Sequence, residues 1–317
     1  MRVIGVAEYG GPEALRPFDV PERHAGPGQV RVRVHAAAVN PTDTFVRNGA
    51  RARHQRKDPP PYVPGMDAAG VVDEVGAGTD TDLAVGDRVM AVVVPDGAHG
   101  AYSESLVLPA ESVVRAPSGA DHAAAATLPM NGLTARLALD VLDLRPGQTI
   151  AVAGAAGAFG GYVVQLAKAD GLRVVADAAP RDERLVADLG ADVVVPRGAD
   201  VARRIREAVP EGVDALADGA VLDAAVSGAV RDGGGIATVR GYDGAGDSAA
   251  AERGVSYHPV LVVRYARERA RLDRLRQQAE DGVVTLRVAR TLPAEEAPEA
   301  HRLLEAGGVR GRLVLTF

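Results

Sequence analysis

The chain has 317 residues, room for two domains of ordinary size. Its 36 basic and 42 acidic side chains leave a net charge of −6, so there is no whole-protein basic field to draw nucleic acid or an anionic membrane. With no cysteine, disulfides, thiolate catalysis and every cysteine-based zinc site are excluded together.

No apolar run approaches the roughly 20 residues needed to cross a bilayer. Met1-Arg2-Val3-Ile4 leads directly into folded-looking sequence without a signal-peptide core, so a cytoplasmic location is expected. The histidines (His24, His35, His54, His99, His122, His258 and His301) show no H-E-x-x-H or comparable metal-ligand spacing. Lysine occurs only at Lys57 and Lys168 while arginine is abundant, a codon bias that weakens the meaning of any single arginine.

From the start, Arg2–Ala7 reads as a strand and Gly10-Gly11-Pro12 as a turn. Val30 to His35 alternates apolar and polar residues with period two, a half-buried strand with His35 on its polar phase. Asn40-Pro41 then reads as an N-cap and first helical residue, opening a short helix from about Thr42 to Arg47. Residues 50–64 are the least globular part, with Arg51, Arg53, Arg56 and Lys57 against an acidic whole. They suit a solvated surface loop or a lid that favours an anionic ligand. Short β-like runs with Gly/Pro punctuation follow (69–76, 85–94, 100–108), the texture of a compact β-barrel-like domain.

Near Ala123 the texture turns helical, and strands then alternate with helices. Helix 181–189 leads to strand 192–195, helix 201–208 to strand 214–217, and helix 221–229 to strand 235–240, as in a parallel doubly wound sheet. A charged helix (264–280), a β segment (283–287), a helix (294–305) and a last strand (312–317) close the chain. That final strand has no place in a parallel sheet and suits completion of the first domain. The expected division is therefore 1–122 with 264–317, and 123–263. The apolar strand Gly235–Val239 lies late in its sheet, where it could form an edge, either short and capped or open to pairing with a second copy in a homodimer.

The densest signal is residues 146–177. An apolar run, Thr149–Ala153, enters a turn with Gly154, Gly157 and Gly160; a helical pattern follows, and a second apolar run stops at Asp177. Strand, tight turn, helix and strand make one βαβ unit whose glycines allow a sharp turn and close approach to a pyrophosphate. Ala156 stands where a glycine is usual and is small enough to keep the turn. The candidate cofactor-binding residues here are Gly154, Ala155, Ala156, Gly157, Ala158, Phe159 and Gly160.

The sequence resembles the zinc-free quinone oxidoreductases of the medium-chain dehydrogenase/reductase superfamily. The matching stretches are Ala37–Asp43, Val63–Val72, Gly86–Val89, Gly132–Ala135, the glycine turn, Leu189–Asp192 and Gly311–Leu315. The resemblance implies an α/β protein: a GroES-like β-barrel domain built from both chain ends, plus a Rossmann domain with a doubly wound parallel sheet. Zinc-dependent members carry Gly-His-Glu where this chain has Gly65-Met66-Asp67, and a cysteine near Asn40. No metal is therefore expected.

The implied reaction passes a hydride from a nicotinamide cofactor to an electron-poor small molecule, a quinone or an enone. The alternatives are an enoyl-thioester reductase and a low-turnover cofactor-binding sensor or structural protein. By resemblance Asn40 and Asp43 belong to the active site, Asn40 as a polar contact and Asp43 chiefly as an organiser of its helix. Thr134, Gly241 and Arg312 are implied cofactor-binding residues. No tyrosine stands in or just after the 42–47 helix, so no proton donor is evident. Asp177 could bind ribose hydroxyls as in NAD-specific sites, but it sits about one position early. Arg181, helped by Arg197, could instead meet a 2′-phosphate, which favours NADPH over NADH.

Overall fold

The computed structural model describes residues 1–52 and 59–317. Of the basic stretch, Arg53, Arg56 and Lys57 lie outside the described residues, and so does the choice between loop and lid. Contacts divide the chain into two compact units. One comprises Met1–Met130, Val263–Gly282 and Leu286–Phe317; the other comprises Asn131–Val262 and Val283–Thr285.

The first unit is built on β3 (Gln29–Ala38), whose alternation places Val30, Val32 and Val34 in the core and Arg31 and Arg33 at the other face. Around it a seven-stranded sheet runs β14 (Val288–Pro293), β15 (Arg312–Thr316), β3, β4 (Asp67–Val75), β5 (Arg88–Val92) and β7 (Val113–Arg115). The strand β6 (Ser105–Pro109) also pairs with β3. Only the β14–β15 pairing in this sheet is parallel. A two-stranded hairpin of β1 (Arg2–Gly5) and β2 (Arg16–Asp19) packs its apolar residues into the same core. The short helices α1 (Asp43–Arg47) and α2 (His122–Ala126) belong to this unit. So do α8 (Arg269–Glu280), which buries Leu272 and Leu275 beneath its charged face, and α9 (Ala297–Ala306), which turns His301 inward.

The helix α3 (Pro129–Leu142) leads into the second unit, a six-stranded parallel sheet. Its order is β10 (Val193–Pro196), β9 (Arg173–Ala178), β8 (Thr149–Ala153), β11 (Val213–Asp218), β12 (Val230–Thr238) and β13 (Ser256–Pro259). Its inner strands are mostly apolar, with Ile150–Ala153 in β8 and Val174–Ala176 in β9 buried, because a parallel sheet is covered on both faces. The helices α4 (Ala158–Ala169), α5 (Glu183–Asp188) and α6 (Val201–Ala208) connect these strands, and α7 (Ser248–Glu252) precedes the last one.

Several expectations need correction. Gly235–Val239 is not an edge: β12 is held between β11 and β13, and the short β13 (Ser256–Pro259) takes the outer position. Strand 283–287 is displaced to Val288–Pro293, where its backbone can pair with β15. The segment 221–229 is 3-10 rather than α-helical over Asp223–Ala229, with its entry set by positive φ at Val221 and Asp223. The charged helix begins at Arg269, after a separate 3-10 turn at Val262–Tyr265.

The β3–β4 contact depends on a missing side chain. A Cβ at Gly70 would lie 1.9 Å from the Arg33 carbonyl oxygen, beside the register irregularity between Val34 and Ala36. Gly70→Ala is expected to destabilise the first unit by about 2 kcal/mol or more, seen as a lower unfolding midpoint in thermal or urea denaturation. An unchanged midpoint would show that these strands can part without cost.

Candidate functional site

In the second unit, β8 ends at Ala153, Gly154 with φ of 77° turns the chain sharply, and α4 starts at Ala158 behind Gly157. The third glycine is needed for space: a Cβ at Gly160 would stand 2.4 Å from the Gly154 carbonyl oxygen and 2.8 Å from the Ala155 Cα. Helix and turn therefore touch through bare backbone. Ala155 and Ala156 are buried, and the Phe159 ring occupies the space a side chain at Gly219 would need.

Asp177 lies beneath this turn, inside β9 and not beyond its end. Its Oδ1 accepts the Gly154 N–H at 2.6 Å and the Ala155 N–H at 3.2 Å. Its Oδ2 is buried without a hydrogen-bond partner among the described residues, with Arg197 Nε 3.8 Å away. Arg181 stands on the strand-end turn beside Asp182, its side chain 74% exposed. The structure thus joins Asp177, Arg197 and the glycine turn, and leaves Arg181 open to solvent. Thr134 is largely buried in α3, and Gly241 makes the turn after β12 with φ of 90°. At the end of β11, Asp218 accepts the N–H groups of Ala220, Leu222 and Asp223, a turn-holding role that no short motif announced.

In the first unit, Asn40, Asp43 and Asp67 are buried together. Asn40 does not cap α1; Thr42 holds the N-cap position without a side-chain bond. Nearby carboxylates use the donors of Asn40 instead. Asn40 Nδ2 donates to Asp67 Oδ2 at 2.7 Å, and its backbone N–H donates to Asp43 Oδ2 at 2.8 Å. Asp67 Oδ1 also accepts the Met130 N–H at 2.6 Å, and Asp43 Oδ1 accepts the Gly65 N–H at 3.1 Å.

A tyrosine does reach this helix, from a segment far along the chain. Tyr102 Oη donates to Asp43 Oδ2 at 3.1 Å and lies 3.1 Å from His301 Nε2; His301 Nδ1 lies 3.2 Å from an Arg47 guanidinium nitrogen. Arg47 also pairs with Glu305 at 2.5 Å. Gly65, with φ of 107°, makes room, since a Cβ there would sit 2.7 Å from the Tyr102 ring.

Burial dominates the electrostatics. It pushes Asp43 up to about 7 and Asp67 up to about 6, against the opposing effect of their hydrogen-bond donors. The nearby Arg312 charge also holds Asp67 down. Burial moves the Tyr102 phenol well above its ordinary value; burial and then the Arg47 charge move His301 down to about 3.

Residues 26–118 match the family profile described as Alcohol dehydrogenase GroES-like domain, and residues 189–315 match the one described as Zinc-binding dehydrogenase. A 2-haloacrylate reductase from a Burkholderia species is 30% identical over 328 residues, covering 98% of this chain and 97% of that protein. The chain belongs to the medium-chain dehydrogenase/reductase superfamily. Its GroES-like domain and Rossmann-like parallel sheet are those of this superfamily. A Quinone oxidoreductase from Pseudomonas aeruginosa is 38% identical over 210 residues, 64% of this chain. That match spans 61% of the relative's length. Among solved structures, an NAD-dependent alcohol dehydrogenase superposes with a TM-score of 0.88 at 32% identity, with both chains covered in full (100%). A mycobacterial protein solved with NADPH superposes with a TM-score of 0.86 at 30% identity, also over 100% of both chains.

The described residues at the Gly65-Met66-Asp67 position do not form a zinc ligand set. Met66 offers a thioether that accepts from the Thr42 hydroxyl at 3.3 Å, and Asp67 is committed to Asn40 and Met130. Among the described residues no group of three His, Cys, Asp or Glu side chains is placed to hold a metal. A dinucleotide fits better: Gly154, with positive φ, turns the chain directly after β8, and the close packing of Gly160 on that turn sets the N-terminus of the twelve-residue α4 just behind it, an arrangement that favours phosphate. Asp177→Ala, which removes the acceptor for two turn amides, is expected to weaken binding of the reduced cofactor about tenfold or more. Fluorescence titration of the nicotinamide measures this, and unchanged affinity would mean that the turn holds itself.

Proposed function

We propose that this protein is an NADPH-dependent reductase that passes a hydride, without a metal, to a quinone or to an alkene conjugated to a carbonyl. The observation that carries the reading is the Asn40–Asp67–Asp43 group. Its carboxylates are tied to N–H donors, and the residues around it are wrong for zinc. An acceptor that no metal polarises must already be electron-poor. The similarity to a 2-haloacrylate reductase and to quinone oxidoreductases supports this choice.

The bound cofactor would supply the hydride, and the product gains that hydride plus one proton. The chain's own residues bind and orient. Gly154 to Gly160 would cradle the pyrophosphate, with Asp177 fixing the turn from below. Asn40 would make a polar contact near the reacting atoms. Asp43 would hold the 40–43 turn. Thr134, Gly241 and Arg312 are proposed to line the cofactor site. The domain division at about residues 122 and 263, a homodimer and a cytoplasmic location complete the proposal. No helix among the described residues is long and apolar enough to cross a membrane. Any pairing of sheets in such a dimer falls to β13, the outer strand on that side.

NADPH is favoured because Asp177 turns inward to the glycine turn, while Arg181 is exposed on the strand-end turn and Arg197 is half exposed. Steady-state assays with NADPH and NADH against a panel of quinones and enones test this, before and after chelation. Turnover with NADPH that survives chelation is expected. A protein that binds cofactor and reduces no acceptor in the panel would be a binding protein instead. Arg181→Ala should lower kcat/KM for NADPH about ten- to a hundredfold, the value of one charge-assisted bond, and leave NADH nearly unchanged. Equal losses with both cofactors would remove Arg181 from the phosphate site.

A further inference from the structure

The chain from Arg47 to Asp43 has only one consistent direction. Arginine has donors and no acceptor, so His301 Nδ1 must accept from Arg47 at 3.2 Å. The remaining imidazole proton is then on Nε2, which donates to Tyr102 Oη at 3.1 Å. The phenol proton is left for Asp43 Oδ2, also at 3.1 Å. The same carboxylate receives the Asn40 and Gly65 amides, so each of these three hydrogen-bond partners is a donor to it. Both ring side chains are fully buried, and the chain reaches the surface at Glu305, whose side chain is 41% exposed.

We propose that Tyr102 and His301 are positioning residues, which with Arg47 hold the Asp43 carboxylate as the acceptor that fixes Asn40 and Gly65 in place. Their role rests on the proposed function, since Asn40 matters to the reaction only if it meets the reacting atoms. The backbone supports it: the Tyr102 N–H donates to Pro64 O at 3.0 Å, the Ala101 N–H to Gly65 O at 3.0 Å, and Tyr102 O accepts from Ile4 at 2.8 Å. The phenol is thus presented from a segment that is itself pinned. Without it, Oδ2 keeps one donor, the Asn40 N–H, and the Tyr102 segment loses its side-chain tie to the 40–43 turn.

A pH dependence follows. The charged or titratable groups around Asp43 are Asp67 on β4, Tyr102, Arg47 on its own helix acting through His301, His301 and Glu305 on α9, and Arg312 on β15. A proton on Asp43 would set a donor against donors, so the ionised form is the one that holds the turn. Its midpoint, about 7, places the loss on the acid side, as pH falls through neutrality. Removing the phenol proton takes away one stabiliser of the ionised form, so the midpoint must rise.

The test compares wild type with Tyr102→Phe, His301→Ala and His301→Gln. In Tyr102→Phe the acid limb of kcat should move up by about one pH unit, the size expected for one hydrogen bond to a charge. KM for the cofactor should stay unchanged. Glutamine supplies one acceptor and one donor, so His301→Gln should recover most of what His301→Ala loses. A wild type that reduces quinones and a Tyr102→Phe variant with the same limb and the same kcat would overturn the inference and leave the proposed function standing. If wild type reduces no acceptor, the proposed function fails, and carbon-13 titration of the Asp43 carboxyl in wild type and Tyr102→Phe decides the inference alone. A midpoint that does not move, or nitrogen-15 spectra with the His301 proton on Nδ1, would overturn it.

Discussion

Buried carboxylates, each accepting from backbone or side-chain donors, are the constraint on which both units depend. Asp43 and Asp67 collect the amides of Asn40, Gly65 and Met130 together with the Asn40 side chain and the Tyr102 phenol. Asp177 holds the turn after β8, and Asp218 holds the turn after β11. A carboxylate taken out of water without such partners costs more than the loop it serves can repay. Each one therefore dictates the path of the chain around it, because only one arrangement brings the donors to its oxygens.

The first unit shows how far this dictation reaches. Asp43 is a poor acid in the sense that burial raises it to about 7, yet its surroundings contain donors from the residues before α1, from the residues before β4 and from the Tyr102 segment. The opposing effects leave it near neutrality, where modest changes in its donors shift its charge. Such a group suits an active site that must be ordered without being inert. In the second unit Asp177 holds the Gly154 and Ala155 amides with one oxygen, and Arg197 stands 3.8 Å from the other.

The other constraint is close backbone contact. Aromatic residues make up 3% of the chain, and much of the core is alanine and valine, so elements must approach closely to exclude space. Gly70 against Arg33, Gly76 against Gly26 and Gly160 against Gly154 are positions where a methyl group would collide with a carbonyl oxygen. In the first unit this brings β3 and β4 together beneath the Asn40 turn. In the second it lets the α4 N-terminus come down over β8.

Features whose cause lies within a few neighbouring residues were legible in the sequence. The period-two pattern of β3, the α6 helix over 201–208, the strand–turn–helix around Gly154 and the parallel alternation all follow from local periodicity and backbone freedom. The same local signals misplaced the sheet edge, because Ser256–Pro259 carries little apolar pattern and becomes a strand only through pairing with β12. The inward aim of Asp177 was hinted at by its spacing from the glycines. The carboxylate's hold on Gly154 and Ala155, however, depends on β9 lying beside β8. Tyr102 is 59 residues from Asp43, and His301 is 254 residues from Arg47. No local pattern encodes such distances. Composition and periodicity by themselves determined most of the elements and the glycine turn after β8; only the tertiary structure decided which polar groups meet in the interior, since a buried donor must find its acceptor wherever packing has placed it.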